Sequence, residues 1–327
     1  HPKASPDVIA AAHRALMKRH HPDRSATVHG STAKRLNLAH EVLSDPARRA
    51  SYDTARSPSG VVIGDYLVEA PIAEGGFGKT YKARHVMLGE PACVKHCSQI
   101  SAADAEILRQ EARAMWDLRH HAIPAVRNIV QLADGSLALV MSFIEGPTLA
   151  QVVEKYASRG ERLEPEDVAW MTSRVLNALS YIHRHGVVHG DLKPQNIIVQ
   201  DDAHAVVLVD FGLAAVRPTK DTGSKGYTDV FSPPEQVRGS PLLPQTDMFS
   251  LGMTMIHALS GGDVTRTSRR LVPDTVPEPM TAFIRRLVAP GVLTRPAWRG
   301  EDLLETFEGV RRASFGRPQS GMRKLKL

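Results

Sequence analysis

Apolar residues recur every three or four positions along much of the chain, and this spacing predicts amphipathic helices. The stretches with this period are 101–119, 165–185, 278–289 and 300–311. Shorter apolar runs bounded by turn-forming residues predict strands at about 126–132 and 136–143, joined by a hairpin turn at residues 133–135. Strands are therefore predicted mainly before residue 146, and helices mainly after it.

The front of the chain carries a separate helical pattern. Pro6, preceded by a serine and followed by an aspartate, begins a helix that ends near residues 20–23. A second helical pattern covers about 36–43, and a third short one covers 47–52. The turn-forming residues 57–60 then act as a linker, so the front segment is predicted to be a domain of its own.

The composition is that of an ordinary globular protein. The 327 residues, 42% hydrophobic and 23% charged, are enough for two domains with a large core. No apolar run approaches the roughly 20 residues that a membrane helix needs, so no membrane partner is expected. Two cysteines, Cys93 and Cys97, suit a reducing compartment, and we expect a cytoplasmic location. The chain carries no signal peptide and starts at His1, so we expect its natural beginning to have been trimmed.

The net charge of +6 comes from the two ends of the chain. Residues 1–56 hold 10 basic against 5 acidic side chains, residues 311–327 hold 6 against none, and the middle is mildly acidic. Aromatic residues do not alternate with the basic ones, as a nucleic-acid stacking surface would require. We therefore expect no nucleic-acid partner, and a basic helical face that meets an acidic protein instead.

Polar residues suited to one chemistry gather between residues 187 and 212. Asp191, Lys193 and Asn196 lie on one predicted loop, and Asp210 arrives at the end of the next strand. Phosphoryl transfer needs a carboxylate to accept a hydroxyl proton, a lysine to stabilise the moving phosphoryl group, and an amide and a carboxylate to hold magnesium. The sequence therefore predicts a phosphoryl-transfer site.

These residues resemble the signature of eukaryotic-type (Hanks-type) serine/threonine protein kinases, H-R-D-L-x-x-x-N followed by D-F-G. The resemblance implies a bilobal α+β fold, with an antiparallel sheet and one helix in the upper lobe and a mainly helical lower lobe. It also implies ATP and Mg²⁺ as cofactors and protein substrates as partners. By the same resemblance Asp191 and Lys193 are catalytic, and Asn196 and Asp210 bind the metal.

Further matches to this family lie in the predicted upper lobe. Gly75 and Gly78 fall on the second and third glycines of a G-x-G-x-x-G loop, which lets backbone N–H groups approach the nucleotide phosphates. Lys95 matches the lysine of the V-A-I-K strand and would contact the α- and β-phosphates. Glu111 on the 101–119 helix would form an ion pair with Lys95, and Glu106 is the fallback for that role.

The resemblance also implies an adenine pocket. Its members would be a ceiling residue, a gatekeeper, two hinge residues that bond adenine through their backbone, and two residues that sandwich the ring. The ceiling residue would be Cys93 and the gatekeeper Met141. The hinge residues would be Ser142 and Ile144, and the ring would lie between Ile72 and Ile198.

Residues 228–235 resemble T-x-x-Y-x-A-P-E, the end of an activation segment that docks a peptide. Thr228 would help to position the acceptor hydroxyl, Glu235 would pair with Arg295, and Asp247 would begin a buried helix that braces the catalytic loop. Small-molecule kinases of the aminoglycoside and choline type also carry His-Gly-Asp, but they lack this segment. A peptide acceptor is therefore favoured over a small molecule.

Gly190 stands where many members of the family have an arginine. That arginine pairs with a phosphate on the activation segment, and such charge-assisted pairs are strong. Glycine cannot make the pair. We therefore hypothesise that the protein becomes active without this phosphate.

The front segment resembles a J-domain, in which a His-Pro-Asp loop joins two antiparallel helices. His21, Pro22 and Asp23 form that loop here, and in the family it stimulates the ATPase of a DnaK-type chaperone. The sequence begins where the first helix of that family would already have ended, so the J-like hairpin is expected to lack it.

The predicted organisation is a J-like domain at 1–56, a linker at 57–63, a kinase domain at 64–310 and a solvated basic tail at 311–327. The kinase lobes are predicted to divide between residues 146 and 147. One alternative function is an ATP-binding pseudokinase scaffold that recruits a DnaK-type chaperone. The complete set Lys95, Glu111, Asp191, Asn196 and Asp210 argues against it, because a scaffold has no physical need of all five.

Overall fold

The computed structural model describes residues 6–19, 36–37, 39–41, 43–45, 60–75, 78–97, 102–132, 134–219, 221–298, 302–316, 321 and 323–325. Helix α1, Pro6–Arg19, has the bounds that the cap and the apolar spacing predict. Its His13 ring stacks on His40 at a centroid distance of 4.2 Å, and His13 Nε2 lies 3.0 Å from Asn37 Oδ1. The second predicted helix therefore packs on α1. The His-Pro-Asp loop, residues 21–23, lies outside the described residues.

An antiparallel sheet of six strands forms the upper lobe, in the order β1-β2-β3-β4-β6-β5. Alternation along β4 directs Ala92 and Val94 into a core on one face, while Cys93 and Cys97 pack into the core on the other face. Helix α2 covers that second face and contacts β4, β5 and β6. The bounds are β1 Val62–Ile63, β2 Tyr66–Gly75, β3 Gly78–His85, β4 Pro91–Cys97, α2 Ala102–Met115, β5 Val126–Gln131 and β6 Leu137–Ser142.

The lower lobe is mainly helical, which confirms the predicted bilobal α+β fold. Its helices are α3 Leu149–Ala157, α4 Pro165–Arg184, α5 Pro234–Val237, α6 Pro244–Leu259, α7 Val264–Ser268, α8 Glu278–Leu287 and α9 Leu303–Phe315. Four short strands form two antiparallel pairs: β7 Val187–Val188 with β10 Ala215–Val216, and β8 Ile197–Gln200 with β9 Ala205–Leu208. Within the described part of the chain, no helix is both long and apolar enough to cross a bilayer.

One hydrophobic core joins the two lobes. It begins with Leu108 and Met115 of α2, passes through Leu139 of β6, and continues into α4, α6 and α8 of the lower lobe. Trp170 of α4 and Phe211 are completely buried within it. Because burial of apolar side chains is the main favourable term in folding, α2 is fixed relative to the lower lobe as well as to the sheet.

The basic end of the chain is not the solvated tail that its composition predicts. Helix α9 continues to Phe315, so the tail expected from residue 311 begins inside a helix. Leu325 is only 7% exposed and belongs to the main core, and its N–H donates to Asp201 Oδ2 at 2.9 Å. Arg323 forms an ion pair with Glu166 at the start of α4. The described tail residues therefore pack against the lower lobe, where they bond the carboxylates of Glu166 and Asp201.

Replacement of Leu325 with alanine tests this packing. Removing a buried leucine side chain is expected to lower the free energy of unfolding by about 2 kcal/mol, since both burial and close packing are lost. Leu293 is 83% exposed, so Leu293→Ala is the matched control and should change stability by less than about 0.5 kcal/mol. Urea denaturation of both variants measures the difference. Equal stabilities would show that the tail does not pack in solution.

Candidate active site

The predicted catalytic loop connects β7 to β8 and holds its polar groups against one another. The buried Asp191 carboxylate lies 2.8 Å from Lys193 Nζ through Oδ2, and its Oδ1 accepts a hydrogen bond of 2.6 Å from Thr228 Oγ1. Lys193 Nζ also donates to Thr228 Oγ1 at 3.0 Å. A carboxylate, a lysine and a hydroxyl group thus meet at one point. This is the arrangement in which a hydroxyl proton can pass to a carboxylate while a cation lies beside the oxygen.

Asn196 ends a single 3₁₀ turn, Pro194–Asn196, that follows the loop. Its Nδ2 donates to the Asp191 backbone carbonyl at 2.9 Å and to Asp191 Oδ2 at 3.0 Å, which fixes the amide and leaves its oxygen facing away from Asp191. The N–H of Val209 donates to the backbone carbonyl of Asn196 at 3.0 Å, so the next residue, Asp210, lies near Asn196. Amide and carboxylate oxygens are the ligands that Mg²⁺ prefers, and this pair fits such an ion.

Lys95 of β4 brings the two lobes together at the site. Its ammonium donates to both oxygens of Glu111 on α2, at 2.9 and 2.7 Å, and to Asp210 Oδ1 at 2.7 Å. Burial alone would lower the pKa of Lys95, but the two carboxylates outweigh it and raise that pKa above its ordinary value. Burial would raise the pKa of Asp210, and Lys95 outweighs it and lowers that pKa. Lys95 and Asp210 are therefore both charged at neutral pH.

Glu106, the fallback partner for Lys95, points elsewhere. Its carboxylate bonds Arg109 at 3.4 Å and Arg113 at 3.1 Å on the outer side of α2. Glu111 is 1% exposed, whereas the Glu106 side chain is 42% exposed. Glu111 lies five residues after Glu106, about 1.4 helical turns, so the helical spacing of α2 directs it towards the sheet.

Asp210 and Phe211 are held in different ways. Asp210 has φ of 64°, a left-handed conformation that aspartate tolerates better than most residues, and its ion pair with Lys95 supports it. The ring of Phe211 is fully buried and packs on His189 at a centroid distance of 4.7 Å. His189 Nε2 lies 3.2 Å from the carbonyl of Val209. His189 therefore supports the loop by packing.

The glycine-rich hairpin connects β2 to β3 at one edge of the predicted nucleotide site. Strand β2 ends at Gly75 and β3 begins at Gly78, with residues 76–77 outside the described part of the chain. Gly78 has φ of +130°, and a Cβ there would strike the backbone carbonyl of His96. Only glycine suits this position. Lys95 lies opposite Thr80 on the neighbouring strand, so the hairpin passes directly beside the lysine.

Two of the residues predicted to contact adenine lie opposite each other on neighbouring strands. Cys93 and Met141 are directly paired between β4 and β6, and burial raises the pKa of the Cys93 thiol to about 12. The N–H of Ser142 donates to the Ala125 carbonyl at 2.9 Å, so this N–H is not free to bond a ligand. Ile144 follows in the half-buried hinge.

The two isoleucines of the predicted sandwich come from opposite lobes. Ile72 of β2 is 50% exposed, and Ile198 of β8 is half-buried against the hinge glycine, Gly146. A Cβ at Gly146 would lie 3.2 Å from Ile198 Cγ2 and 2.8 Å from the carbonyl of Val199. The hinge therefore runs close to β8.

The buried carboxylate of Asp247, in the first turn of α6, holds the catalytic loop from below. It accepts hydrogen bonds of 2.9 Å from the backbone N–H groups of both His189 and Gly190. His183 Nε2 lies 2.7 Å from Asp247 Oδ2, and Trp298 Nε1 donates to His183 Nδ1 at 2.6 Å. Burial would raise the pKa of Asp247, but these donors outweigh it and lower that pKa. The sequence pointed to Asp247 as the brace and gave no signal for Trp298.

Gly190 adopts a backbone conformation that excludes other side chains. Its φ is +75°, and a Cβ would lie 2.6 Å from Leu242 Cδ1 and 2.9 Å from the carbonyl of Leu213. Leu242 forms a small buried cluster with Val188 and Ala215. The space beside Gly190 is therefore filled by an apolar side chain, and no charged group occupies it.

The predicted peptide-docking segment is anchored as the motif implies. Both terminal nitrogens of Arg295 bond the Glu235 carboxylate, at 2.5 and 3.0 Å, and the Arg295 guanidinium lies 4.8 Å from the ring centroid of Phe249. The arginine side chain is completely buried. A planar, bidentate pair of this kind fixes orientation as well as distance.

The fold and this constellation define a protein kinase, and comparison with known proteins agrees. The protein kinase domain family matches residues 66–285, about two thirds of the chain, so the chain belongs to that family. The DnaJ domain family matches residues 1–53.

Curated relatives include the serine/threonine-protein kinases pkn3 of Myxococcus xanthus and PknL of Mycobacterium tuberculosis, which are 32% and 36% identical. The alignments cover 64% and 62% of this chain but only 40% and 51% of those proteins. Serine/threonine-protein kinase F of Synechocystis is 29% identical over 62% of this chain and 45% of its own length. The chain thus spans about half the length of these relatives, or less.

The Asp247 network predicts a specific pH dependence. Because the folded-state pKa of Asp247 is lowered, its carboxylate contributes stability above the unfolded pKa of about 4 and loses it as the pH falls through the folded pKa. Asp247→Asn should lower the free energy of unfolding by about 3 kcal/mol at neutral pH, because charge-assisted bonds are lost. The difference in the free energy of unfolding between the parent and Asp247→Asn should stay constant down to about pH 5 and become smaller below about pH 4.

Denaturant titrations across this pH range measure the gap. The exposed Asp202 on the β8–β9 turn provides the control, and Asp202→Asn should show little difference from the parent at any pH. A gap for Asp247→Asn that widens as the pH falls would contradict the assignment.

Proposed function

We propose that this chain transfers the γ-phosphoryl group of ATP to serine or threonine hydroxyls of a protein, with Mg²⁺ held by Asn196 and Asp210. The observation that supports the proposal most directly is the convergence of Lys95, Asp210 and Asp191. The ammonium of Lys95 lies 2.7 Å from Asp210, and Asp210 follows the residue bonded to Asn196. Bound Mg²⁺ would neutralise charge on the phosphates, while the protein positions the reacting groups.

The roles of the individual residues follow from their contacts. Asp191 accepts the proton of the acceptor hydroxyl or orients that hydroxyl, because its carboxylate already accepts a bond from the Thr228 hydroxyl. Lys193 steadies the phosphoryl group in transit, since its ammonium lies at the same hydroxyl. Lys95 contacts the nucleotide phosphates and is held in place by Glu111.

Two features favour a protein acceptor over a small molecule. Residues 228–235 form an ordered segment fixed at one end by the Glu235–Arg295 pair and at the other by Thr228 beside Asp191. The match to the protein kinase domain family, residues 66–285, includes this segment. A pseudokinase scaffold is disfavoured because the buried Lys95–Glu111 pair and the polar loop residues are all in position. The cytoplasmic location stays a prediction from cysteine content.

Loss of the Asp191 carboxylate tests the proposal. Asp191→Ala should reduce phosphoryl transfer to a mixture of protein acceptors by at least about 100-fold, because general base catalysis contributes on that scale. Affinity for the ATP–magnesium complex should change little, since Lys95 and Asp210 remain. The measurement is transfer of labelled phosphate, with Asp202→Ala as the matched surface control.

Acid hydrolysis of the labelled protein should release phosphoserine or phosphothreonine. If the parent labels only small molecules, or if Asp191→Ala labels proteins as well as the parent does, the proposal is wrong.

For the front module we propose binding to a DnaK-type chaperone through residues 21–23, with regulation of the kinase domain as the second candidate. The match to the DnaJ domain family supports the first. The covalent continuity of this module with β1 of the upper lobe, through residues 57–61, supports the second.

His21→Gln in the full chain distinguishes these two roles. If the module acts on a chaperone, the parent should raise the ATPase rate of a purified DnaK-type chaperone several-fold, and His21→Gln should abolish the increase. His29→Gln, eight positions later in the same module, serves as the control. If the chaperone rate never changes but protein phosphorylation differs between the parent and His21→Gln, the module regulates the kinase instead.

A further inference from the structure

Gln236 joins the catalytic loop to the activation segment, which is defined here as residues 210–235. It lies in the short helix α5 and is 1% exposed. Its Nε2 donates to the carbonyl of Gly190 at 2.7 Å and to the carbonyl of Gly226 at 2.9 Å. One amide group therefore bridges a residue next to Asp191 and a residue two positions before Thr228.

The backbone of Gln236 adds a second tie to the same segment. Its carbonyl accepts a hydrogen bond of 2.9 Å from Ser224 Oγ. Lys225, between the two bonded residues, donates to the carbonyl of Ala214 at 2.7 Å. Residues 224–226 are thus each fixed by at least one hydrogen bond, and Gln236 makes two of these bonds.

The bridge lies where an arginine in the catalytic loop would pair with a phosphate on the segment. Here that loop position is Gly190, and the space that a side chain would need is occupied by Leu242. Because Gly190 has no side chain, the catalytic loop offers no cation at this position for a phosphate on the segment. The neutral amide of Gln236 bonds the backbone of Gly190 instead, so the tie depends on no added charge.

The oxygen of the Gln236 side-chain amide contributes an unfavourable free energy. Its Oε1 is buried and has no hydrogen-bond partner among the described residues. The side-chain amide fits in one orientation, because both partners of Nε2 are carbonyl oxygens, which accept a hydrogen bond from N–H and cannot donate one to Oε1. Burying an unsatisfied oxygen is unfavourable, and a leucine would fill the same volume without it. The two bonds that Nε2 makes explain why an amide is suited to this position.

We propose that Gln236 is a positioning residue that holds the activation segment against the catalytic loop, so that Thr228 stays beside Asp191 and Lys193 without phosphorylation of the segment. The inference rests on the proposed kinase function and adds how the acceptor site is kept in place. Gln236 acts through Gly190 and Gly226, and it touches neither nucleotide nor acceptor.

The experiment compares the phosphatase-treated parent with Gln236→Leu, which keeps the volume and removes both bonds. The value of kcat/KM for a peptide acceptor should fall at least about tenfold, because displaced reacting groups are costly. The Kd for ATP–magnesium should remain within about twofold, since Lys95 and Asp210 are untouched. Amide hydrogen exchange of residues 223–230 should become faster. Gln131→Leu on the outer strand β5 is the control and should match the parent in all three measurements.

If Gln236 only stabilised the fold, Gln236→Leu would lower the melting temperature and would affect peptide turnover and nucleotide affinity alike. The melting temperature is therefore measured together with kcat/KM for the peptide and Kd for ATP–magnesium. Equal peptide turnover and equal exchange in Gln236→Leu and the parent would overturn the inference. So would a phosphatase-treated parent that gains activity only when its activation segment is phosphorylated. If the parent phosphorylates no protein at all, the proposed function fails, and hydrogen exchange still decides whether Gln236 holds the segment.

Discussion

The active site depends on one ammonium group shared between two carboxylates. Lys95 belongs to the sheet, Glu111 to α2 and Asp210 to the segment after β9, so the ion pairs bring three separate parts of the chain to one point. Lys95 and Glu111 are buried, and burial raises the pKa of Glu111, whereas the side chain of Asp210 is 44% exposed. A carboxylate that reaches solvent can bind a cation that enters with a nucleotide. The geometry that joins these three parts of the chain therefore also leaves a carboxylate where a magnesium complex would bind.

The catalytic loop is positioned by backbone contacts more than by its own side chains. Asp247 accepts the N–H groups of two successive loop residues, and a chain of hydrogen bonds runs from it through His183 to Trp298. Each polar group in this network has a partner, which is the condition under which buried polar networks add rigidity. Because His189 also packs on Phe211, the loop and the end of β9 share one support. Asp191 and Asp210 are therefore fixed relative to each other.

The sequence predicted the parts of this site whose residues follow local rules. Lys95, Glu111 and the loop residues follow from their resemblance to short motifs of the kinase family, in which each position has one chemical task. What the sequence could not predict are contacts between distant residues with no pattern of their own. Trp298 reaches His183 across 115 positions and Leu325 reaches Asp201 across 124. A solvated tail was the natural expectation for residues 311–327, since charge alone does not show where the tail meets acidic groups.

The contact between Thr228 and Asp191 shows what an acceptor must do to enter the site. The Thr228 hydroxyl donates to the Asp191 carboxylate and accepts from Lys193, so it makes the bonds that an incoming serine or threonine hydroxyl needs. A carboxylate oxygen can accept more than one hydrogen bond, and Asp191 Oδ2 is shared between Asn196 and Lys193. An acceptor can therefore join this network at Oδ1 without breaking the ties that orient the carboxylate. A hydroxyl group on a flexible peptide can satisfy that requirement, because the peptide can adjust to bring its oxygen within hydrogen-bond distance of Oδ1.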